Sequence, residues 1–247
     1  MKSASEKWKE IFVLNDLSFK TLNEDIPITI IKNVLKYPDQ VREFFDNGYW
    51  WENGFDGDCS RPGKSFEFGL NTDMYFDPLV DSLTDFYDAE DLIPIEIYGN
   101  CFNGNMKMYT TRSALPHVDT FPDDDQNEDP RMDVAFNLNL TKSDKVKTAF
   151  YSFNNKRSVC DFHKNDYEDL KKCWDNEEKN RKEKNWFLID DEYDNYKLEF
   201  IADIDYNSMI LYPSHNWHNS YIKDDWFIDE DRITLTGFFE TLSEDQE

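Results

Sequence analysis

The sequence predicts a mainly β protein with flanking helices, and among such folds a jelly roll fits best. From residue 94 onward, seven segments alternate apolar and polar residues as strands do: IEIYGN, MKMYTT, MDVAFNLNL, KTAFYSF, KLEFIADI, NSMILYP and RITLTGFF. Loops rather than helices separate them, which favours antiparallel pairing. MDVAFNLNL has one apolar face, formed by Met132, Val134, Phe136, Leu138 and Leu140. Its other face carries Asp133, Ala135, Asn137 and Asn139 and indicates a cavity lined by polar groups.

The N-terminal part predicts one strand and two helices. Residues 26–35 alternate loosely as a strand does, and Pro38 then opens a helix with Val41, Phe44 and Phe45 at helical spacing. A second helix is predicted just after Pro78, with an apolar stripe of Leu79, Val80, Leu83, Phe86 and Tyr87. We expect both helices to support the sheet.

We expect a single domain over residues 1–247, because the aromatic fraction of 16% supplies enough apolar surface for one core. Residues 1–93 form its N-terminal support, and residues 94–240 form the jelly-roll core. A charged insertion at about residues 155–196, with KKCWDNEEKNRKEK at its centre, is predicted to be an exposed helix or a mobile connector. The acidic run DDDQNED is predicted to be a flexible loop.

Charge and composition exclude several function classes. A formal charge of −25 disfavours direct binding to nucleic acid. No apolar run exceeds four residues, so we expect no membrane span. Four scattered cysteines without a CxxC pair suit reduced thiols, which predicts a cytoplasmic protein, or one in a host's cytoplasm if a virus encodes it.

The histidines supply candidate metal ligands. Of the four, at positions 117, 163, 215 and 218, only His117 has an acid two residues later, Asp119. On an extended strand these two side chains point to the same side, where one ion can reach both. His215 and His218 are candidates for a third ligand, and His218 is favoured because it begins the extended run HNSYI, whereas His215 follows a predicted turn. Two imidazoles and one carboxylate form the facial triad of non-haem iron oxygenases.

Arg232 and Thr234 predict a carboxylate-binding pair on the last strand. Among the seven arginines, only Arg232 is followed two residues later by serine or threonine. A guanidinium can bind a carboxylate with two hydrogen bonds, and a hydroxyl on the same side can add a third. The alternative is a surface ion pair with one of the acids at positions 229–231.

The order His117-x-Asp119, then His218, then Arg232-x-Thr234 resembles the Fe(II)/2-oxoglutarate-dependent oxygenase superfamily. The resemblance covers roughly residues 26–240, and it is strongest to the prolyl-hydroxylase-like proteins of bacteria and phages, where segments similar to IPITIIKNVLKYPDQVREFF and DCSRPGKS precede the core.

The resemblance implies a double-stranded β-helix, with the metal ligands His117 and Asp119 on its second strand and His218 on its seventh. Arg232 and Thr234 on the eighth strand would bind the distal carboxylate of 2-oxoglutarate. Tyr109, Asn137 and Tyr151 are further polar residues that would help to bind it. The implied activity uses Fe(II), 2-oxoglutarate and dioxygen to hydroxylate a protein side chain or a small metabolite.

Two other functions remain open from the sequence. The chain could be a jelly-roll binding module without catalysis, or a cupin-like metal enzyme that needs no oxo acid. A role for His215 behind the metal ligands, the substrate and the oligomeric state also remain open.

Overall fold

A computed structural model describes residues 3–48, 51–52, 63–68, 73–89, 92–104, 116–119, 134–163, 166–167, 169–170, 172, 176, 192–193, 195–223 and 225–241. The N-terminal helices are α1 (Ala4–Ile11), α2 (Pro38–Asp46) and α3 (Asp73–Tyr87). The first strands are β1 (Phe19–Asn23), β2 (Ile28–Lys32), β3 (Trp51–Glu52), β4 (Lys64–Glu67), β5 (Leu92–Gly104) and β6 (Val134–Asn139). They are followed by β7 (Lys147–Phe153), β8 (Glu192–Tyr193), β9 (Tyr196–Asp203), β10 (Ser208–Pro213), β11 (His218–Ser220) and β12 (Phe227–Thr241).

Two antiparallel sheets form a sandwich. The major sheet has the order β1-β2-β10-β6-β12-β5-β4-β3, and the minor sheet has the order β11-β7-β9-β8. Strands distant in sequence are neighbours in both sheets, as in a jelly roll. The predicted fold class, mainly β with flanking helices, is confirmed.

Three apolar clusters separate the layers. The first lies between the helices and the outer face of the major sheet, and includes Trp8, Phe45, Leu79, Phe136 and Leu235. The second lies between the two sheets and includes Ile30, Phe102, Phe150, Ala202 and Ile210. The third covers the outer face of the minor sheet and includes Tyr151, Phe153, Tyr196 and Trp217. Burial on both faces explains why the major sheet tolerates so few exposed side chains at its centre.

The side chains of strand β6 alternate between the two faces of the major sheet. Val134, Phe136 and Leu138 face the helices, whereas Ala135 and Asn137 face the space between the sheets. The alternation predicted for residues 134–140 is therefore confirmed. The polar face is buried in the sandwich rather than open to solvent.

Helix α3 begins earlier than predicted. Its first residue is Asp73, and Pro78 lies inside the helix instead of preceding it. A proline within a helix removes one backbone hydrogen bond, which tertiary packing can offset. Leu79 and Leu83 supply that packing, because both are fully buried against the first cluster.

Several predicted segments lie outside the described residues, namely MKMYTT, DDDQNED and most of the charged insertion. None of the described helices is long and apolar enough to cross a membrane.

Candidate metal centre and adjoining cavity

The segment of residues 116–119 lies along the edge of β11, which pairs with β7 on its other side. The backbone N–H groups of His117 and His218 each donate to the other residue's carbonyl oxygen, and both N···O distances are 2.9 Å. The N–H of Asp119 donates to the carbonyl oxygen of Ser214, also at 2.9 Å. These bonds hold two residues of one segment beside a histidine about a hundred positions away.

The side chains of His117, Asp119 and His218 converge on one point. Asp119 Oδ1 lies 3.6 Å from His117 Nε2, and Asp119 Oδ2 lies 3.3 Å from His218 Nε2. One ligand atom of each residue lies within 4.8 Å of the other two. Neighbouring ligands at about 2.1 Å from a metal ion would lie about 3 Å apart, so small side-chain rotations bring all three atoms into bonding range.

The imidazole of His218 is oriented by the chain just before it. Its Nδ1 lies 2.8 Å from the carbonyl oxygen of Asn216, the distance of a hydrogen bond. An Nδ1–H that donates to this oxygen turns Nε2 towards Asp119, where it donates to the carboxylate when the ring is charged and can bind a metal through its lone pair when the ring is neutral. No sequence pattern indicates this contact, because its acceptor is a main-chain atom.

Electrostatics favour a charged carboxylate at the centre. Burial opposes ionisation of Asp119, but the charge of His218 and hydrogen bonds from both imidazoles outweigh it and lower the pKa of Asp119. For His218, burial favours the neutral ring, whereas the adjacent Asp119 carboxylate raises its pKa above the usual value. This carboxylate has cationic partners only while a histidine is protonated, so a divalent metal can take that place.

His215 lies apart from this group. The turn predicted before it is present, since the N–H of Asn216 donates to the carbonyl oxygen of Pro213 (3.1 Å). His215 lines a polar cleft of about 600 Å³ together with Asn216, Arg157 and Glu199. Burial lowers the pKa of the His215 imidazole. His163 is exposed.

Arg232 is a buried cation on the inner face of β12. Only 1% of the residue is exposed, and its Nη2 donates a long hydrogen bond to Ser220 Oγ (3.4 Å). Among the described residues no carboxylate pairs with it, and its Nε has no hydrogen-bond partner. Burial lowers the pKa of Arg232 to about 10, so the guanidinium remains charged at neutral pH. The surface ion pair considered from the sequence does not form.

Further unpaired polar atoms lie near Arg232 on the same face of the major sheet. Thr234 is opposite Asn100 on β5, and Thr236 is opposite Asn137 on β6. Within the described residues, a buried oxygen of each has no hydrogen-bond partner: Asn100 Oδ1, Asn137 Oδ1, Thr234 Oγ1 and Thr236 Oγ1. Buried polar atoms are normally paired, so this face is suited to a polar ligand. The sequence analysis missed Thr236, although the period of two along β12 indicates it.

The sequence also predicted contacts between the oxo acid and two tyrosines, Tyr151 and Tyr109. Tyr151 lies outside the cavity, because its side chain belongs to the cluster on the outer face of the minor sheet and its hydroxyl donates to Asn219 Oδ1 (3.2 Å). The expectation that it binds a ligand between the sheets is wrong, since β7 directs Phe150 inward instead. Tyr109 lies outside the described residues.

Comparisons with known proteins relate the chain to one class of fold. No protein-family model and no curated protein sequence matches it. It is similar to the structure of HygX from Streptomyces hygroscopicus with nickel and 2-oxoglutarate bound, with a TM-score of 0.51 and 12% identity over 87% of this chain and 83% of HygX. A Pseudomonas putida prolyl-4-hydroxylase also matches, with a TM-score of 0.42 and 12% identity over 98% of this chain and 100% of that one.

The similarity to HygX shows that the chain has a jelly-roll fold, as the sequence predicted. Within that fold it carries a His-Asp-His group that could hold a metal ion.

Proposed function

We propose that the protein is a non-haem Fe(II)- and 2-oxoglutarate-dependent dioxygenase that hydroxylates a protein side chain or a small metabolite. One observation carries the proposal. The guanidinium of Arg232 has no carboxylate partner among the described residues, and it donates to Ser220, which follows His218 by two residues on the same face of β11. The positively charged guanidinium and the candidate metal site therefore face one interior space.

The donor set of the metal centre fits Fe(II). Imidazole nitrogens suit iron, and a carboxylate balances part of its charge. Three ligands on one side leave the other coordination positions for an oxo acid and dioxygen. The alternative of a structural metal is less well supported, because such sites are usually closed by four protein ligands.

The distance between the two sites suits a short dicarboxylate. Residues i and i+2 of a strand are about 7 Å apart. A five-carbon diacid bound to the metal through its 2-oxo acid end would bring its other carboxylate near Arg232. Thr234 is on the same face of β12, two residues on, where its hydroxyl can donate to the same carboxylate.

The bound metal would supply the activation of dioxygen, converting 2-oxoglutarate, dioxygen and a substrate C–H group to succinate, carbon dioxide and a C–OH group. The chain's own groups would bind the metal and the oxo acid and hold them in position. Asn216 fixes the His218 ring through its carbonyl oxygen. Phe150 and Ala135 are fully buried between the sheets, and their apolar side chains would exclude water from the centre. A net charge of −25 favours a basic peptide or a neutral metabolite as substrate.

Succinate release by the purified protein tests the proposal. The metal-depleted protein is supplied with Fe(II), 2-oxoglutarate and oxygen, with and without pools of candidate substrates. We expect succinate only when both Fe(II) and 2-oxoglutarate are present, and none from His117→Ala. Full turnover by His117→Ala would contradict the assignment.

Two further outcomes would support other functions. Failure to bind any divalent metal at low-micromolar concentration would indicate a binding module without catalysis. Full substrate oxidation by Arg232→Ala without added oxo acid would indicate a cupin-like enzyme.

A further inference from the structure

The polar cleft lined by His215 is a second candidate binding site. Its volume of about 600 Å³ is in the range of small-ligand sites, and it lies where β7 and β10 end and β2 and β9 begin. None of His117, Asp119 and His218 lines it. The polar cleft is therefore separate from the metal centre, although Asn216 lines the cleft and also contacts the His218 ring.

A β-bulge in β9 directs Glu199 into the polar cleft. In the pairing of β9 with β7, Phe200 is opposite Phe150 and Leu198 is opposite Tyr151, so Glu199 has no opposite residue. Phe200 packs against the cluster between the sheets and Glu199 lines the polar cleft, so two consecutive residues lie on the inner face. A regular strand would direct one of them outward. The bulge therefore places a carboxylate in the cleft, with only 16% of its side chain exposed.

The two basic side chains that line the polar cleft both contact Glu199. Lys197 Nζ donates to Glu199 Oε1 (3.2 Å), and Arg157 Nη2 lies 3.6 Å from Glu199 Oε2. Ser152 Oγ also donates to Glu199 Oε1 (2.9 Å). An anionic ligand would have to compete with Glu199 for both cations, so the polar cleft is poorly suited to an anion.

The carboxylates of Asp25 and Asp161, which also line the polar cleft, have no basic partner. The Asp161 carboxylate accepts from the main-chain N–H of Ser158 (3.3 Å), whereas Lys156 donates only to the main-chain oxygen of Asp161. Arg157 likewise donates to the main-chain oxygen of Asp25 (3.3 Å). Among the described residues, no lysine or arginine forms an ion pair with either carboxylate. A cationic group of a ligand can therefore bind both.

Asn216 adds a neutral polar group to the same cleft. Only 5% of the residue is exposed, and its Nδ2 has no hydrogen-bond partner within the part of the chain that the structure describes. Buried polar atoms are normally paired, so this amide is suited to a carbonyl oxygen of a ligand. A lysine or arginine residue within a peptide carries both a cationic group and carbonyl oxygens.

We propose that the polar cleft binds a basic residue of a peptide, with its ammonium or guanidinium group at Asp25 and Asp161 and a main-chain carbonyl oxygen at Asn216. The inference does not depend on the proposed function, because neither a metal nor an oxo acid takes part in the binding. The net charge of −25 attracts any cation, whereas the polar cleft selects a basic residue in a peptide.

The test measures ligand binding to the whole chain by NMR titration, without added metal. The probes are a capped tripeptide with lysine at its centre, the same tripeptide with norleucine there, and butylamine. Norleucine lacks the charge, and butylamine lacks the carbonyl groups. We expect the lysine tripeptide to bind about tenfold more tightly than the norleucine tripeptide, and also more tightly than butylamine, because only lysine supplies both contacts.

Two double variants with the same change in net charge distinguish the polar cleft from the general acidity of the protein. Asp25→Asn with Asp161→Asn removes two charges in the cleft, and Asp16→Asn with Glu24→Gln removes two exposed charges outside it. We expect the first pair to weaken binding of the lysine tripeptide about tenfold and the second to stay within about twofold of the wild type. Thermal unfolding checks that both variants fold.

Asn216→Ala tests the contact with the carbonyl oxygen. It should weaken binding of the lysine tripeptide by about fivefold and leave that of butylamine unchanged.

Equal binding of the lysine and norleucine tripeptides would overturn the inference, and so would an equal loss in the two double variants. Butylamine that binds as tightly as the lysine tripeptide would also overturn it, because the ligand would then be a simple amine. The same holds if the lysine tripeptide does not bind at roughly 10 mM.

Discussion

The carbonyl oxygen of Asn216 lies 2.8 Å from Nδ1 of His218, two residues later in the chain. Because the acceptor belongs to the main chain, the turn itself orients the ring, whatever side chain stands at position 216. This turn also turns His215 away from the centre and into the polar cleft. The two histidines of the SHNWHNSY segment therefore lie in different surroundings.

Substitutions of His215 and His218 should have different effects on metal affinity. We expect His218→Gln and His117→Gln to weaken Mn(II) binding by on the order of a hundredfold or more, because each removes a direct ligand. His215→Gln should stay within about threefold of the wild type. Calorimetric titration of the metal-free proteins measures all three. A comparable loss in His215→Gln would show that the wrong histidine has been assigned.

Replacing Arg232 should improve stability while removing ligand binding. Arg232→Met removes a buried charge that has no acidic partner among the described residues. We expect the free energy of unfolding of the ligand-free protein to rise by about 1–3 kcal/mol. Binding of 2-oxoglutarate should fall by on the order of a hundredfold, since hydrogen bonds to both carboxylate oxygens are lost.

Arg42→Met is the matched control for that change. Arg42 donates to Asp46 Oδ1 (3.0 Å) and to the carbonyl oxygen of Leu140 (3.0 Å), so its loss should destabilise the protein by about 1 kcal/mol. Urea unfolding compares the two variants. A loss of stability in Arg232→Met as large as in Arg42→Met would mean that Arg232 is mainly structural.

Gly237 should not tolerate a larger side chain. A Cβ at this position of β12 would lie 2.6 Å from Cε1 of Phe136 and 2.8 Å from the carbonyl oxygen of Glu96. The Phe136 ring has little room to move, because it stacks on Phe239 with centroids 5.4 Å apart. We expect Gly237→Ala to lower the free energy of unfolding by about 1–3 kcal/mol.

A double-mutant cycle tests the stated cause of that loss. Phe136→Leu removes the obstructing ring atom, so the double variant Gly237→Ala with Phe136→Leu should be less destabilised than the sum of the single variants. Strict additivity in urea unfolding would point to the contact with the Glu96 carbonyl oxygen rather than to the ring.

Glu199 should make stability sensitive to acid. Burial disfavours its charged form, but hydrogen bonds from Ser152 Oγ (2.9 Å) and Lys197 Nζ (3.2 Å) outweigh burial and lower its pKa. A lowered pKa in the folded state means that the stabilisation is present above the unfolded pKa of about 4.3 and is lost as the pH falls through the folded value.

Thermal unfolding between pH 7 and pH 3 tests whether the stabilisation by Glu199 is lost as the pH falls. The wild type should be more stable than Glu199→Gln at pH 7, and the difference should shrink below about pH 4. Glu24→Gln, at an exposed position after β1, is the control. A difference between wild type and Glu199→Gln that stays constant over this range would contradict the expectation.

The sequence predicted the local features of the fold well and the contacts between distant elements less well. The alternation of β6 identifies Asn137 as an interior residue, because a strand alternates its faces strictly. The start of α3 was misplaced, because the rule that proline opens a helix ignored the packing of Leu79 and Leu83. In the described residues, helix and strand assignments depended mostly on such local patterns.

In the candidate site, too, local features could be predicted from the sequence and contacts between distant strands could not. The spacing of His117 and Asp119 and the turn before His218 are local signals, and the structure brings these three residues together. The contact between Arg232 and Ser220 depends on how β11 and β12 face each other, so no sequence pattern indicates it. No periodicity reveals which side chains meet across a sandwich, since that depends on how two separate sheets pack.

The division of the site between two sheets has a consequence for product release. The candidate metal ligands lie on and beside β11 of the minor sheet, whereas Arg232 lies on β12 of the major sheet. Under the proposed function, a diacid bound at both sites would join the two sheets. Its decarboxylated product would be one carbon shorter, so it would hold the metal and Arg232 together less well than the oxo acid does, which would favour product release.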